Sequence, residues 1–289
     1  MKLLAIINPI SGTGKQKHIA SLLNSVLDRE KFDLTIKYTE YAKHGTELAR
    51  QAISDGFDAV LAVGGDGTIN EIAQALTHSK VALGIIPSGS GNGLARHMGI
   101  PMNSKKAIQW LNRAEVRPMD TLLINDHFSL NVAGIGFDAH ISHVFAKMNS
   151  RGLVSYAKAT WNSFFNYPEY QFTILQNGEQ KSYSGFVLSI CNSSQFGNNA
   201  HIAPNADISD GQVNLVVLKK PRWYQLPQLM LRSFTNTIDR SSLFTEIKGE
   251  AFQVSYPSNE AHVDGEPIVI EGKLNIKIQP ASLYHFSGQ

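Results

Sequence analysis

Asp58-Ala59-Val60-Leu61-Ala62-Val63-Gly64-Gly65-Asp66-Gly67-Thr68-Ile69-Asn70-Glu71-Ile72 is the stretch whose reading decides the fold. It opens as a short apolar run rich in β-preferring residues and breaks at a glycine turn. Apolar residues then resume at helical spacing, at Ile69, Ile72, Ala73 and Leu76. The pattern reads as buried strand, tight turn, helix. Gly64, Gly65 and Gly67 can adopt positive φ and let a ligand approach the backbone closely. The unpaired N–H groups and positive dipole end of the helix would face that ligand, and phosphate is its natural chemistry. Asp66 is the misfit, because a carboxylate repels phosphates unless a divalent cation or a hydroxyl lies between them. On the turn alone, Asp66 as a helix N-cap is the other role open to it.

Upstream, residues 2–8 form an apolar run that ends in Pro9-Ile10-Ser11-Gly12-Thr13-Gly14-Lys15 and passes into a helical pattern at Ile19, Leu22, Leu23, Val26 and Leu27. This turn is not a P-loop: its glycines are too closely spaced, and Gln16 stands where Ser or Thr must follow the lysine. It remains a small-residue turn with donors at Asn8, Ser11 and Thr13. Residues 34–39 read as a second strand. Residues 81–87 read as a fourth, closed by Ser88-Gly89-Ser90-Gly91-Asn92-Gly93-Leu94-Ala95-Arg96. Four strands alternating with helices predict a parallel, doubly wound sheet. Parallel strands bring the turns at Asn8, Gly65 and Ser90 to one edge, where ligands of open α/β sheets bind. A nucleotide phosphate site is the reading, with Lys15 and Arg96 as further phosphate partners.

Beyond about residue 116 the pattern changes. Residues 121–132 read as a hairpin turning at Asn125-Asp126. Strand-like runs then dominate at 170–176, 183–191, 213–218, 251–256, 268–270 and 274–279, with Asn177-Gly178 a strong hairpin signal. Amphipathic insertions interrupt them at about 138–166 and 223–238. The division is therefore 1–120 as a doubly wound α/β domain and 121–289 as a mostly antiparallel β domain.

With a formal charge of +2 spread over 289 residues, no basic block points to nucleic acid. Cys191 is alone, so no internal disulfide forms. Pro9 ends the first apolar run too early for a signal peptide, and no run has the length of a membrane span. The expected setting is cytoplasmic, with contact to a membrane from outside.

Six ordered stretches carry a resemblance. They are Asn8-Pro9 with Ser11-Gly12, the turn Gly64 to Glu71, Pro87 to Asn92, Gly134-Ile135-Gly136-Phe137-Asp138, Ala203-Pro204-Asn205-Ala206 to Asp210-Gly211, and Asp264-Gly265-Glu266. Together they resemble the diacylglycerol-kinase-like lipid kinases, which include the soluble bacterial diacylglycerol kinases and the sphingosine kinases. The resemblance implies an α/β domain of NAD-kinase-like architecture that binds ATP, followed by a β-sandwich domain, with the lipid entering between them and the extreme C-terminus packing back on the first domain. It further implies that Asn8, Pro9, Ser11, Gly12, Thr39, Gly64, Gly65, Asp66, Gly67, Thr68, Asn70 and Ser90 surround ATP. A structural Mg2+ would sit at Asp210, with backbone carbonyls near Asp207 and Gln212 as its other ligands; without the resemblance Asp207 and Asp210 read as an ordinary Asp-Gly turn. One departure concerns the lipid. Gly93 follows Asn92 where many bacterial diacylglycerol kinases carry an acidic residue, a form closer to the sphingosine kinases.

Phosphoryl transfer needs an attacking hydroxyl in line with phosphorus, cations to spread charge, and a proton acceptor. Glu266 is assigned to proton acceptance from the lipid hydroxyl and Asp66 to the magnesium and phosphate side, with the reverse assignment left open. Asp138 is expected to orient this polar network. His140 and His143 share a helix face but have no third ligand, so they do not make a metal site. Partners on this reading are a lipid substrate and the membrane surface, the latter through Trp223, Tyr224, Leu226, Leu229, Met230 and Leu231 beside Lys219, Lys220 and Arg222. A homodimer is compatible with it. The competing functions are an NAD kinase-type phosphotransferase and a non-catalytic ATP-binding protein.

Overall fold

The fully apolar runs of the first half become buried strands, because a parallel sheet covered on both faces needs apolar side chains at every position. In the computed structural model, which describes residues 1–11, 18–147 and 153–288, the chain divides into two units. The first comprises Met1–Thr121, Gly197–Asn199 and Pro280–Gln289. Its elements are β1 (Lys2–Ile7), α1 (Ile19–Val26), β2 (Asp33–Tyr38), α2 (His44–Ser54), β3 (Ala59–Gly64), α3 (Asp66–Leu76), β4 (Ala82–Pro87), α4 (Gly93–His97), α5 (Ser104–Leu111) and the start of β5 (Glu115–Ile124). Strand order is β2-β1-β3-β4. The pairs are parallel, with Ile7 beside Tyr38 and Val63, and Gly64 beside Pro87. Helix α1 packs on α5, and α2 on α3. All six residues of β3 and of β4 are buried. Each large apolar side chain so placed contributes roughly 1.5–3 kcal/mol.

The chain leaves β1 towards β2 and returns to β3 on the other side, so the order reverses between β1 and β3. Ligands of doubly wound sheets bind outside the carboxyl ends of the strands at such a reversal. The Asn8 and Gly64–Asp66 turns stand there.

The second unit comprises Leu122–Phe196 and Ala200–Gln279. It holds the end of β5, β6 (His127–Ser129), β7 (Val132–Gly136), α6 (Phe137–Ala146), α7 (Leu153–Asn166), β8 (Tyr170–Gln176), β9 (Glu179–Gly185), β10 (Val187–Cys191), β11 (Gln195–Gly197), β12 (Ala200–His201) and β13 (Val213–Leu218). A 3-10 turn at Trp223–Gln225 then leads into α8 (Leu226–Phe234), followed by β14 (Phe244–Gly249), β15 (Ala251–Ser255), β16 (Glu260–Val263), β17 (Glu266–Val269) and the first part of β18 (Leu274–Ser287). One sheet runs β14-β13-β10-β7-β16-β17; the other joins β9, β8, β15 and β18, with β5 and β6 beside β18. Ile135, Leu188 and Leu215 of the first meet Phe172, Phe252 and Ile276 of the second in one core, which makes the unit a β-sandwich. The outer face of the first sheet packs a second core against α6, α7 and α8 through Phe137, Phe164, Phe186 and Leu229.

Several features differ from the strand pattern expected. Residues 183–191 are two strands in different sheets, because the chain turns from one to the other at Phe186, whose N–H bonds Leu218 O at 2.7 Å. Strand β14 has no counterpart among the runs read from the sequence, and 274–279 extends to a strand of 14 residues. The Asn177-Gly178 hairpin forms with φ of 50° and 83°, the left-handed pair that such a turn demands.

Candidate active site

Three turns meet at the carboxyl edge of the first sheet. The Asn8 amide donates to Thr68 Oγ1 at 2.9 Å, joining the first turn to α3. Ser11 Oγ lies 3.1 Å from Ser88 Oγ, and Ser88 N–H donates to Gly64 O at 2.9 Å, joining the first and third turns to the second. Thr39 N–H donates to Ile7 O at 2.9 Å and leaves Thr39 half-buried beside Asn8. Pro9, Gly67 and Ser90 are exposed, and Asn70 is half-buried one turn into α3. Among the described residues nothing accepts from the N–H groups of Asp66, Gly67 and Thr68, the first three of α3. Gly12 and Lys15 lie outside the described residues.

The glycines are required for space, not for φ. Gly65 is extended, with φ −91° and ψ −176°, Gly67 is helical, and none of Gly64, Gly65 and Gly67 has positive φ. The freedom of φ that glycine offers is not used here, and the reason for the glycines is packing. A Cβ on Gly64 would lie 2.5 Å from Thr68 Cβ, and one on Gly89 would lie 2.7 Å from Gly65 Cα. The second and third turns touch backbone to backbone.

Asp66 is the first residue of α3, with Gly65 as N-cap, so it is not the cap itself. Its carboxylate turns away from the free N–H groups of its own helix. Oδ2 accepts from Asn92 N–H at 2.8 Å and Oδ1 from Gly93 N–H at 2.9 Å. Each carboxylate oxygen thus carries one backbone donor from the fourth-strand loop and keeps a further lone pair. Arg96, read as a phosphate partner, is also engaged elsewhere, with Nε on Gly91 O and an Nη on Asn199 Oδ1, both at 3.0 Å.

Glu266 opens β17 one residue after the left-handed pair Asp264 and Gly265, with φ of 49° and 87°. Its side chain is exposed and bonded to nothing among the described residues, on a hairpin fastened from several directions. Asp264 holds the turn. Its carboxylate accepts from Ser129 Oγ and from the N–H groups of Leu130, Asn131 and Val132, at 2.9 to 3.1 Å. Burial pushes this carboxyl above the ordinary carboxylate value, while the donors at Leu130, Ser129 and Asn131 pull it back. Helix α6 bolts the hairpin from one side. Asp138 Oδ2 is 3.1 Å from Nε2 of buried His262, His140 Nδ1 is 3.0 Å from Glu260 Oε2, and His143 Nε2 is within hydrogen-bond reach of Ala261 O and Ile268 O. A Cβ on Gly134 would fall 2.3 Å from Asp138 Oδ2, so this glycine makes room for the acid–histidine pair. Burial also pushes the phenols of Tyr167 and Tyr256, in the same region, far above their ordinary value.

Sequence reasoning singled out Glu266 and missed Asp264, although both lie in one motif. Asp264→Ala strands four donors and is expected to destabilise the protein by about 1–3 kcal/mol. Urea unfolding checks this; a change within about 0.5 kcal/mol, the range of ordinary surface substitutions, would contradict the clamp.

Residues 2–124 match the family model of the diacylglycerol kinase catalytic domain, and residues 131–285 that of the YegS C-terminal NAD kinase beta sandwich-like domain. A diacylglycerol kinase of Bacillus subtilis is 30% identical over 223 residues, covering 74% of this chain and 73% of its own. The chain belongs to the diacylglycerol-kinase family of lipid kinases. A family member from Mycobacterium tuberculosis, also a diacylglycerol kinase, is 26% identical over 274 residues, covering 92% of this chain and 88% of its own. The fold matches a crystal structure of a diacylglycerol kinase from Bacillus anthracis str. Sterne with a TM-score of 0.75 at 19% identity, over 99% of this chain and 97% of that one. No helix among the described residues is long and apolar enough to cross a membrane.

The magnesium that the family resemblance implies would take a carboxylate oxygen of Asp210 and backbone carbonyls near Asp207 and Gln212. Asp207 Oδ1 accepts from N–H and Oγ of Ser209, closing its own turn, and Asp210 Oδ1 accepts from Gln212 N–H at 2.9 Å. Lys248 Nζ stands 3.7 Å from Asp210 Oδ2. Among the described residues no three His, Cys, Asp or Glu gather to hold a metal. Without a bound cation, Asp210→Ala would cost under about 1 kcal/mol, as for an ordinary ion pair of part-exposed groups, and a chelator would leave the parent's melting temperature unchanged. A chelator-dependent drop that Asp210→Ala abolishes would instead establish a bound cation.

Proposed function

We propose that this lipid kinase transfers the γ-phosphate of ATP to the hydroxyl of a diacylglycerol-like or sphingoid-like lipid. One observation carries the nucleotide part: among the described residues the first N–H groups of α3 have no acceptor, at the strand-order reversal, where two further donor-bearing turns meet them. A helix N-terminus of this kind binds phosphate. When bound, ATP with its Mg2+ supplies the phosphoryl group and the counter-charge for transfer.

The chain's own residues then have separate tasks. Asn8, Ser11, Thr68 and Ser90, with the backbone of Gly65 and Gly67, hold the phosphates; Pro9, Thr39 and Asn70 border the nucleotide. Asp66 positions the fourth-strand loop through its two hydrogen bonds and thereby shapes the site. Glu266 takes the proton of the lipid hydroxyl as its oxygen attacks phosphorus. With no competing partner among the described residues, its carboxylate is free for that proton.

The test is the purified protein with labelled ATP and a panel of acceptors: diacylglycerol, sphingoid base, ceramide, glycerophospholipid and NAD. A labelled lipid phosphate is the expected product. Label on NAD, or on no acceptor, would overturn the proposal.

A further inference from the structure

Helix α8 and the 3-10 turn before it leave an apolar surface uncovered. Leu226 and Leu229 pack on the second core, and Ser233 Oγ donates to His201 O at 2.7 Å, so these residues mark the inward face. At helical spacing Pro227, Met230, Leu231 and Phe234 then fall on the outward face. Met230, Leu231, Phe234, Trp223 and Tyr224 are each more than half exposed. Lys220 ties this segment to the end of α7, its amine donating to the carbonyls of Phe165 and Tyr167 at 3.2 and 2.7 Å. That end of α7 carries two more exposed rings, Trp161 and Phe165, packed edge to face at 5.2 Å. Exposed apolar surface of this extent marks an interaction site.

Charge decides what covers it. Residues 219–240 contain five basic residues and one acidic residue, in a chain whose formal charge is only +2, so the rest of the protein is net acidic. On the other exposed flank of α8, a depression of about 240 Å³ is lined by Gln225, Gln228, Arg232, Arg240, Ser241 and Ser242. Two guanidinium groups with hydroxyls and amides suit a phosphate. Apolar and aromatic side chains flanked by Lys and Arg are the composition of an interfacial helix on an anionic bilayer.

We infer that α8 and its preceding turn form the face by which this protein docks on an anionic phospholipid surface, with Trp223, Met230, Leu231 and Phe234 entering the interface and Arg222, Arg232 and Arg240 meeting headgroup phosphates. The inference deepens the lipid-kinase reading, in which the acceptor resides in a membrane, but its test involves no turnover. Flotation is measured with vesicles of phosphatidylcholine alone and with added phosphatidylglycerol, for the parent, for Met230→Ser with Leu231→Ser, and for Arg232→Glu.

The parent is expected to float with anionic vesicles and not with neutral ones, and both variants to bind at least about tenfold more weakly, a loss of about 1.4 kcal/mol. Their turnover of a short-chain diacylglycerol dissolved as monomer should stay at the parental level. Equal flotation of parent and variants, or equal binding to neutral vesicles, overturns the inference. So does a parental dimer that the serine variant dissociates with no change in flotation, since a second copy would then be the occupant. Failure of the kinase reading looks different: no acceptor is phosphorylated, whatever the vesicles bind.

Discussion

Glu266→Gln is expected to lose about 10²–10⁴-fold in kcat, the usual cost of removing a positioned base, while ATP affinity stays near that of the parent. Glutamine keeps the shape and one acceptor oxygen but cannot take the proton. The expectation rests on how the residue is held. The hairpin carrying it is pinned by Asp264 to residues 129–132 and by His143 to the carbonyls of Ala261 and Ile268, yet the Glu266 side chain itself has no partner among the described residues. A rigid support under a free functional group is what a base requires. If Glu266 merely shaped a solvated turn, the substitution would change turnover little. Asp66→Asn should separate from it: the amide offers one acceptor in place of two, so the Asn92–Gly93 loop loosens and ATP affinity falls together with kcat.

The second large effect is expected at Gly89. Gly89→Val must drive the second and third turns apart, because a Cβ there meets Gly65 Cα at 2.7 Å and Asn92 Oδ1 at 3.1 Å. Backbone cannot rotate out of the way as a side chain can, and overpacking of this kind costs about 1–3 kcal/mol. Much of that strain would be relieved by opening the phosphate site, so ATP affinity is expected to fall about tenfold or more, with the protein still folded. Gly65→Val acts on the same contact from the other side, where the distance to Gly89 Cα is 3.3 Å. Calorimetry reads both; parental ATP affinity in a folded Gly89→Val protein would remove the phosphate site from this edge.

These two positions illustrate what the sequence could carry. The parallel sheet was legible because strands buried on both faces must be written as unbroken apolar runs, as residues 59–64 and 82–87 are. The antiparallel β character of the second half was legible through its Asn-Gly hairpin and strand-like runs, and the sandwich through the family resemblance, but the passage from β9 to β10 was not: nothing in periodicity reports that a continuous strand-like run changes sheets at Phe186. Strand β14 escaped for another reason. Apart from Lys248 all its residues are only half-buried, so Thr245, Glu246 and Lys248 break the apolar signal.

The glycine turn was found at once, yet the reason for its glycines was not. Freedom of φ is a local property that composition suggests, whereas the contact of Gly65 with Gly89 comes from the tertiary fold. The hydrogen-bond partners of Asp66 and Asp264 escaped in the same way. The donors to Asp66 stand 26 and 27 residues further on, and those to Asp264 more than 130 residues away. A carboxylate in a motif announces a role, and only the fold tells whether it is spent on backbone N–H groups or left free.

The central claim, transfer of a phosphoryl group from ATP to a lipid hydroxyl, is tested most directly by the fate of labelled oxygen. ATP carrying 18O on its γ-phosphorus, with diacylglycerol or a sphingoid base in mixed micelles, is predicted to give a lipid phosphate bearing the heavy non-bridging oxygens and the lipid's own light oxygen in the new ester bond. ADP formation with heavy inorganic phosphate and unlabelled lipid would contradict the account.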